Sequence, residues 1–578
     1  MAWYDEAIFY HIYPLGLTGA PKDNSYGEVE HRLNTLLPWI SHIKEIGCNA
    51  IYIGPLFESV GHGYETTDYK KLDSRLGDNK DLTNFVAECH KAGIKVILDG
   101  VFNHTGRDFF AFKDLQEKRE NSPYKDWYCN VNFGGNNEYN DGFSYENWGG
   151  YNLLVKLNQK NPAVRDYICD VIRFWVSEFD IDGIRLDAAD VLDFEYMSAL
   201  RAVANEVKPD FWLMGEVIHG DYSRWVNEGT LHSVTNYQLH KALYSGHNDH
   251  NFFEIAHTVK RLYEMGGNKP DGLKLYNFVD NHDVERIYTK LNNKAHFTPV
   301  HILLYTLPGV PSIYYGSEFG IEGKKEQFSD ASLRPALNLE DFTDAVQNNS
   351  FTRLIAALGH ARQNSKALSY GDYRELMLMN RQYAFSRNTQ EDCAIVTVNN
   401  DDNPYTFTVN AGSFTSYVGA LSGEKVTANN GNITVNISGN SGEIWVPDTS
   451  EAKPMNIKAS VNVSDAATHT KTTAKEQPQE AVTTASAEPS AKETSDSKKQ
   501  TAPAGETQSP SAVKKEAVLE NKPQAPAHSA DYEAGVIAGL QEAVIARMEK
   551  NGCVTDQMRQ DVYNNTHHES LINWIKSF

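Results

Sequence analysis

The chain has 578 residues and a formal net charge of −22, from 76 acidic and 54 basic side chains. That balance argues against nucleic acid and against an anionic membrane surface as partners, because both need basic residues. Hydrophobic residues make up 40% and aromatics 11%, enough for a large core, yet no stretch approaches ~18 uninterrupted apolar residues, so no transmembrane helix is expected.

The N-terminus has no basic stretch ahead of an apolar run, so it does not read as a signal peptide, and a cytoplasmic location is expected. Over the first ~365 residues short apolar runs alternate with amphipathic helical stretches. The runs are "AIFYHIYP", "AIYIGP", "IKVILDGV", "IDGIRLDAA", "FWLMGEV", a weaker one at "HSVTNYQL", "KLYNFVD" and "VPSIYYG". Continuous apolar runs between helices predict parallel strands in βα units, and eight of them predict a closed (β/α)8 TIM barrel, an α/β fold. After the third run the pattern breaks over 105–152, a stretch rich in Asn, Gly, Tyr and Trp and too long for an ordinary connection. Barrel residues are thus expected at 1–104 and 153–368, with an excursion domain at 105–152.

Residues 369–448 alternate apolar and polar positions, as in "AIVTVNN", "YTFTVNA" and "GEIWVP", and predict a C-terminal antiparallel β-sandwich. From Val446 to Asp531 there is no aromatic residue, and residues 449–531 read as a disordered linker. Apolar spacing then predicts a short helical tail over 532–578, either a capping or self-associating bundle or a docking module for a protein partner. The six cysteines (Cys48, Cys89, Cys129, Cys169, Cys393 and Cys553) show no paired spacing, which argues against a disulfide framework or a zinc site.

In such a barrel the chemistry gathers at the C-terminal strand ends. The third run ends in Asp99, followed by Asn103 and His104. The fourth contains Arg185 and ends in Asp187. The fifth ends in Glu216, and the seventh ends in Asp280, Asn281, His282 and Asp283. Four strands bring carboxylates to one rim, and Arg185 shares the face of Asp187. Clustered acids serve metals or glycosidic bonds. The runs lack the His spacing of a di-metal centre, whereas glycoside hydrolysis needs a carboxylate nucleophile and a carboxylic acid, and rim Tyr and Trp residues suit sugar faces.

At these residues the chain resembles the α-amylase family of glycoside hydrolases (family 13) over roughly residues 3–448. The resemblance rests on "AIFYHIYP", "DGVFNH", "GIRLDAA", "MGEV", "FVDNHD" and "GVPSIYYGSE", in that order. It implies a retaining α-glucan hydrolase acting on α-1,4 bonds of maltodextrins. Asp187 is then the nucleophile, Glu216 the acid/base and Asp283 the acid that grips the sugar and stabilises the transition state. Arg185 is expected to orient Asp187 and keep it ionised. Asp99, His104 and His282 resemble substrate-binding residues. "GHGYETTDY" places His62 and Tyr64 in the same subsite, and "SDASLRPAL" places Asp330 and Arg334 at its non-reducing side. Within the family, "VKLNQKNPAV" and "GEVIHGDYSRW" look most like the neopullulanase, cyclomaltodextrinase and maltogenic amylase group, but without that group's N-terminal domain. The chain carries Ile218 where the group commonly has Trp, and Asp190 and Val191 where it commonly has Asn-Glu. An α-1,6-active or transferring relative, or a non-catalytic glucan-binding one, are the alternatives. The resemblance implies that no cofactor is required and leaves room for calcium. Family members with calcium use an Asn at the position of Asn103, acids of the excursion, and a main-chain oxygen after the nucleophile.

Overall fold

The computed structural model describes residues 2–267, 272–327, 329–449 and 452–467, together with Gln541, Val544, Ile545 and Val562. The rest of the region read as linker and tail lies outside the described residues.

The eight apolar runs form eight parallel strands: β1 (Phe9–Ile12), β2 (Ala50–Ile53), β3 (Lys95–Gly100), β4 (Gly183–Leu186), β5 (Trp212–Gly215), β6 (Ser233–Val234), β7 (Tyr276–Asn277) and β8 (Val310–Tyr314). Their hydrogen-bonded order is β6-β5-β4-β3-β2-β1-β8-β7. A parallel bridge between Thr235 and Tyr276 joins β6 to β7 and closes the (β/α)8 barrel. The runs are apolar throughout because both faces of each strand are covered, one by helices and one by the interior. Inside, Phe9, Tyr52, Ile97, Trp212, Met214, Tyr276 and Val310 pack as one cluster, with Phe9 stacked on Trp212 at 5.1 Å. One pleat further along β3 the inward residue is Asp99 instead of Ile97, and along β1 it is His11 instead of Phe9. The interior therefore changes from apolar to polar toward the C-terminal rim.

The helices start where their caps place them. Asp78 accepts from the backbone of Lys80 and Asp81 to begin Asn79–Lys91. Asn161 and the proline after it begin Pro162–Phe179, which ends on Asp180 in the left-handed region. The excursion leaves the barrel after β3 and returns on the strand Tyr151–Lys156, which pairs antiparallel with His104–Thr105.

Beyond the barrel, a six-stranded antiparallel sheet spanning Arg374–Pro447 faces the two-stranded pair Tyr405–Asn410 and Asn432–Ile437. Ile395, Trp445 and Tyr417 of the larger sheet meet Phe407, Val409, Ile433 and Val435 of the smaller one, which makes a β-sandwich. No helix among the described residues is long and apolar enough to cross a membrane.

One expectation is corrected. Residues 452–467, read as the start of a disordered linker, are packed. Met455, Ile457, Val461, Ala466 and Ala467 lie against the main core, and Ala459 is buried in it. The Met455 and Ile457 amides donate to the carbonyls of Ala420 and Leu421, and the Ala467 amide donates to Phe319. Ser441 donates to the Ala459 carbonyl at 2.6 Å, and the Ser350 amide donates to the Asp465 carboxylate at 3.1 Å. Residues 455–461 read Met-Asn-Ile-Lys-Ala-Ser-Val, an alternation of apolar and polar positions that needs no aromatic ring to bury one face.

Candidate active site

Three neighbouring strands build the centre. The register pairs Asp99 of β3 with Arg185 of β4, and Leu186 of β4 with Gly215 of β5. Beyond the paired strands, the Asp187 amide still donates to the Gly100 carbonyl at 3.0 Å, and the Glu216 amide to Leu186 at 2.9 Å. Both acids therefore stand side by side on the rim. Two backbone features make room. A Cβ on Gly54 would lie 2.3 Å from the Asp99 Cβ, and one on Gly215 would lie 2.7 Å from the Ala189 Cβ. Ala188 adopts φ 46°, uncommon for a residue with a side chain. That turn sends its amide to Glu216 Oε2 at 3.0 Å.

Arg185, 3% exposed, is the hub. Its Nη1 donates to Asp99 Oδ1 and Asp187 Oδ1, both at 2.8 Å, and its Nη2 lies 2.9 Å from Glu216 Oε2. Three carboxyl groups thus share one guanidinium. Burial pushes the Asp187 carboxyl well above the usual carboxylate range, Glu216 and Asp99 add to this by their charge, and Arg185 pulls the other way. Arg185 thus lowers the Asp187 pKa, as expected of an adjacent guanidinium, but burial outweighs it.

The second wall comes from the loop after β7. Asn281 Oδ1 accepts from the amides of Asp283 and Val284, which fixes the turn. Asp283 is held by His282 Nε2 at 2.9 Å and by Arg334 Nη2 at 2.9 Å. Burial raises its pKa, but His282 and Arg334 outweigh burial and hold it well below the usual range. Arg334 also donates to the His282 carbonyl at 2.9 Å and to Asp330 at 3.1 Å. Tyr64 lies nearly parallel to His282, centroids 5.7 Å apart, donates to Asp99 Oδ2 at 3.0 Å, and has its hydroxyl 2.5 Å from His282 Nε2. His62, at the edge, pairs with Glu65 at 3.1 Å. His104 is 1% exposed, with Nε2 3.1 Å from the Tyr64 carbonyl oxygen, and burial lowers its pKa to about 4, so it is neutral.

The structure thus brings together Asp99, Arg185, Asp187, Glu216, His282, Asp283, Tyr64, Asp330 and Arg334. His62 and His104 border the group, but their ring nitrogens are engaged by Glu65 and by Tyr64. Sequence reasoning missed Tyr52, whose buried hydroxyl donates to Asp99 Oδ2 at 2.8 Å. A tyrosine within the second barrel run was the available signal. It also missed Tyr13, which stacks on His282 at 5.9 Å and lies under the Arg334 guanidinium at 4.7 Å. Gln159 was missed as well; it joins Asn103 to Asp193. A cavity of about 660 Å³ lined by Tyr370, Phe414, Val418, Pro447 and Pro454 touches none of these groups.

Calcium at Asn103 does not fit the residues present. Its Oδ1 accepts from Gln159 Nε2 at 3.1 Å, so an N–H stands where a cation would need an oxygen. The excursion acids Asp114, Asp141 and Glu146 are paired to Lys118, Arg107 and Lys156. The one cluster of three His, Cys, Asp or Glu ligand atoms among the described residues is His31, Asp78 and Asp81, at the start of the helix Asn79–Lys91.

Comparison with known proteins follows the same lines. Residues 32–363 match the family model for the alpha amylase catalytic domain. The chain is 31% identical over 423 residues to a cyclomaltodextrinase of Thermoanaerobacter pseudethanolicus, covering 69% of this chain and 71% of that one. It is 30% identical over 461 residues to neopullulanase 2 of Thermoactinomyces vulgaris, covering 75% and 76%. Among solved structures, a cyclomaltodextrinase superposes with a TM-score of 0.68 at 25% identity, covering 77% of this chain and 78% of that one. A debranching enzyme of Nostoc punctiforme does so with 0.63 at 26% identity, covering 77% and 98%.

Proposed function

Because the chain belongs to the α-amylase family of glycoside hydrolases, we propose that it cleaves α-1,4-glucosidic bonds of maltodextrins by double displacement. The observation that carries this reading is the shared guanidinium. Asp187 and Glu216 meet adjacent terminal nitrogens of Arg185. A spacing of about 5–5.5 Å between two carboxyls leaves no room for a water and favours retention.

In the first step an Asp187 carboxylate oxygen attacks the anomeric carbon. The bond to the leaving oxygen breaks, and Glu216 gives that oxygen its proton. In the second step Glu216 takes a proton from water, the water oxygen bonds to the anomeric carbon, and the ester to Asp187 breaks. Asp283, held ionised by His282 and Arg334, faces the positive charge that develops on the ring. Tyr64 offers the sugar an aromatic face.

Trapping tests the assignment. A 5-fluoro glucosyl fluoride should leave a sugar on the peptide containing Asp187, read by mass spectrometry of a digest. The first product should be the α-anomer by proton NMR. A β-anomer first, or a sugar on another peptide, overturns the nucleophile.

A second reading, α-1,6 action or transfer, is favoured by one observation. Val191 and Ile218, on the turns after β4 and β5, each keep 39% of their surface exposed. The leaving-group side thus offers a sugar aliphatic faces in place of hydroxyl partners. Products from maltoheptaose, pullulan and β-cyclodextrin over time separate the two readings.

A further inference from the structure

We propose that Gln159 does with hydrogen bonds what a calcium ion does in calcium-using members of the family: it ties the loops after β3 and β4 to the end of the excursion, and it orients Asn103 to match the tautomer of His104 that the Tyr64 carbonyl requires. One atom at this junction has an unambiguous role. The Asp193 backbone N–H can only donate, and it lies 2.6 Å from Gln159 Oε1. The other end of the same amide is therefore Nε2, and it faces Asn103 Oδ1 at 3.1 Å. The Asn103 oxygen being taken, its Nδ2 faces His104 Nδ1 at 3.2 Å. His104 Nδ1 must accept, so the ring hydrogen sits on Nε2 and points to the Tyr64 carbonyl at 3.1 Å. Each link follows from the one before it.

All three side chains are inside. Gln159 is 8% exposed, His104 1% and Asn103 0%. Burial makes the relay costly to break, because each freed amide group would be left without water. The Asn103 carbonyl is also taken, by the Leu157 amide at 3.0 Å. Asp193 caps the helix Phe194–Val207, six residues after Asp187. The relay therefore runs from the loop behind the nucleophile, through the root of the excursion, to the backbone of Tyr64. Gln159 is a positioning residue, since it touches no substrate. The part of the inference that concerns His104 and the sugar rests on the proposed function. The strut itself does not, and neither readout below needs activity.

The first test is thermal unfolding of the full chain. Gln159→Met keeps the volume and loses both bonds, and should lower the melting temperature by about 3 °C. Wild-type melting should be unchanged, within about 1 °C, by a chelator or by added calcium. The second test is long-range proton–nitrogen NMR of ¹⁵N-histidine-labelled protein at pH ~8, with the His104 signal identified by its loss in His104→Gln. The wild type should show neutral His104 with hydrogen on Nε2. Gln159→Glu presents only oxygens to Asn103, which must flip its amide and turn its oxygen to His104. Both ring nitrogens would then face acceptors, so the ring should gain a hydrogen on Nδ1 while keeping the one on Nε2. An unchanged melting temperature in Gln159→Met, or a His104 signal that Gln159→Glu leaves unmoved, overturns the proposal. So does a calcium-raised melting temperature in the wild type that Gln159→Met abolishes, which would place an ion at this junction.

Discussion

Mild acid should weaken this fold through histidines held neutral in the core. His247 and His301 show the mechanism. Each has Nδ1 close to the carbonyl four residues back on its own helix, 2.6 Å to Leu243 and 2.7 Å to Phe297, so Nδ1 carries the hydrogen. Each Nε2 is buried without a partner. Protonating it would create a buried N–H with no acceptor, next to nothing that favours a positive charge. Burial accordingly lowers His247 to about 3 and His301 to about 4, and the neighbouring His296 and His250 add to the effect at His247. In the unfolded chain both titrate near 6.5. The unfolded state therefore binds more protons, and stability is fully present above pH ~6.5 and lost as the pH falls toward 4. At pH ~5.5 each histidine costs about 1.4 kcal/mol relative to pH ~7.5, or about 3 kcal/mol for the pair. His104, His232, His240 and His296 are lowered in the same way. Asp187, Asp280 and Glu443 are raised and act in the opposite sense, so a difference between variants is the clean measurement. The double variant His247→Asn, His301→Asn keeps a donor for each helix carbonyl and removes both titrations. Between pH ~7.5 and ~5.5 the wild type should lose about 3 °C more in melting temperature than the double variant. Equal losses would refute the reasoning.

Glu216→Gln should lower turnover of maltodextrins by 10²–10⁴-fold with little change in binding, and an activated glucosyl fluoride should recover part of the first step; retention of more than about a tenth of wild-type rate excludes Glu216 as the acid/base. A chain ending at residue 449 should melt several degrees below one ending at residue 467, because Ala459 and the apolar face from Met455 to Val461 leave the core; coincident melting curves would mean that the strap contributes nothing. Tyr52→Phe removes one of three donors to Asp99, and should lower kcat several-fold while KM stays within about twofold; a change confined to KM would show that Tyr52 acts on binding alone.

The barrel was legible because its signal is collective. Each run is ambiguous, but eight runs with helices between them admit few folds, and even the weak "HSVTNYQL" became β6 because the closed sheet needs an eighth member. The rim acids were legible for the same reason: a carboxylate ending an apolar run is exceptional, and four strands repeat the exception. The strap at 452–467 was lost to averaging. Its alternation of Met455, Ile457, Ala459 and Val461 was present, but an 86-residue stretch without Phe, Trp or Tyr hid a seven-residue pattern.

Protonation and polar relays were not legible, and the reason is physical. Arg185 beside Asp187 in sequence suggests a lowered carboxyl pKa, yet Asp99 and Glu216 arrive at the same guanidinium from other strands, 86 residues before it and 31 after it. The sign of the shift is set first by burial and then by the converging carboxyls, and both are properties of barrel closure, not of spacing. Gln159 is the sharper case. Nothing in "KLNQKNP" marks it, because an amide becomes informative only when its neighbours fix which end is oxygen. Here a backbone N–H on a different loop fixes it, and the orientation it gives Asn103 agrees with the His104 tautomer that the Tyr64 carbonyl requires. Carboxylate chemistry announces itself in a sequence by charge. The direction of a hydrogen-bond relay is decided wherever the first unambiguous donor lies, and that donor can belong to any residue type at all.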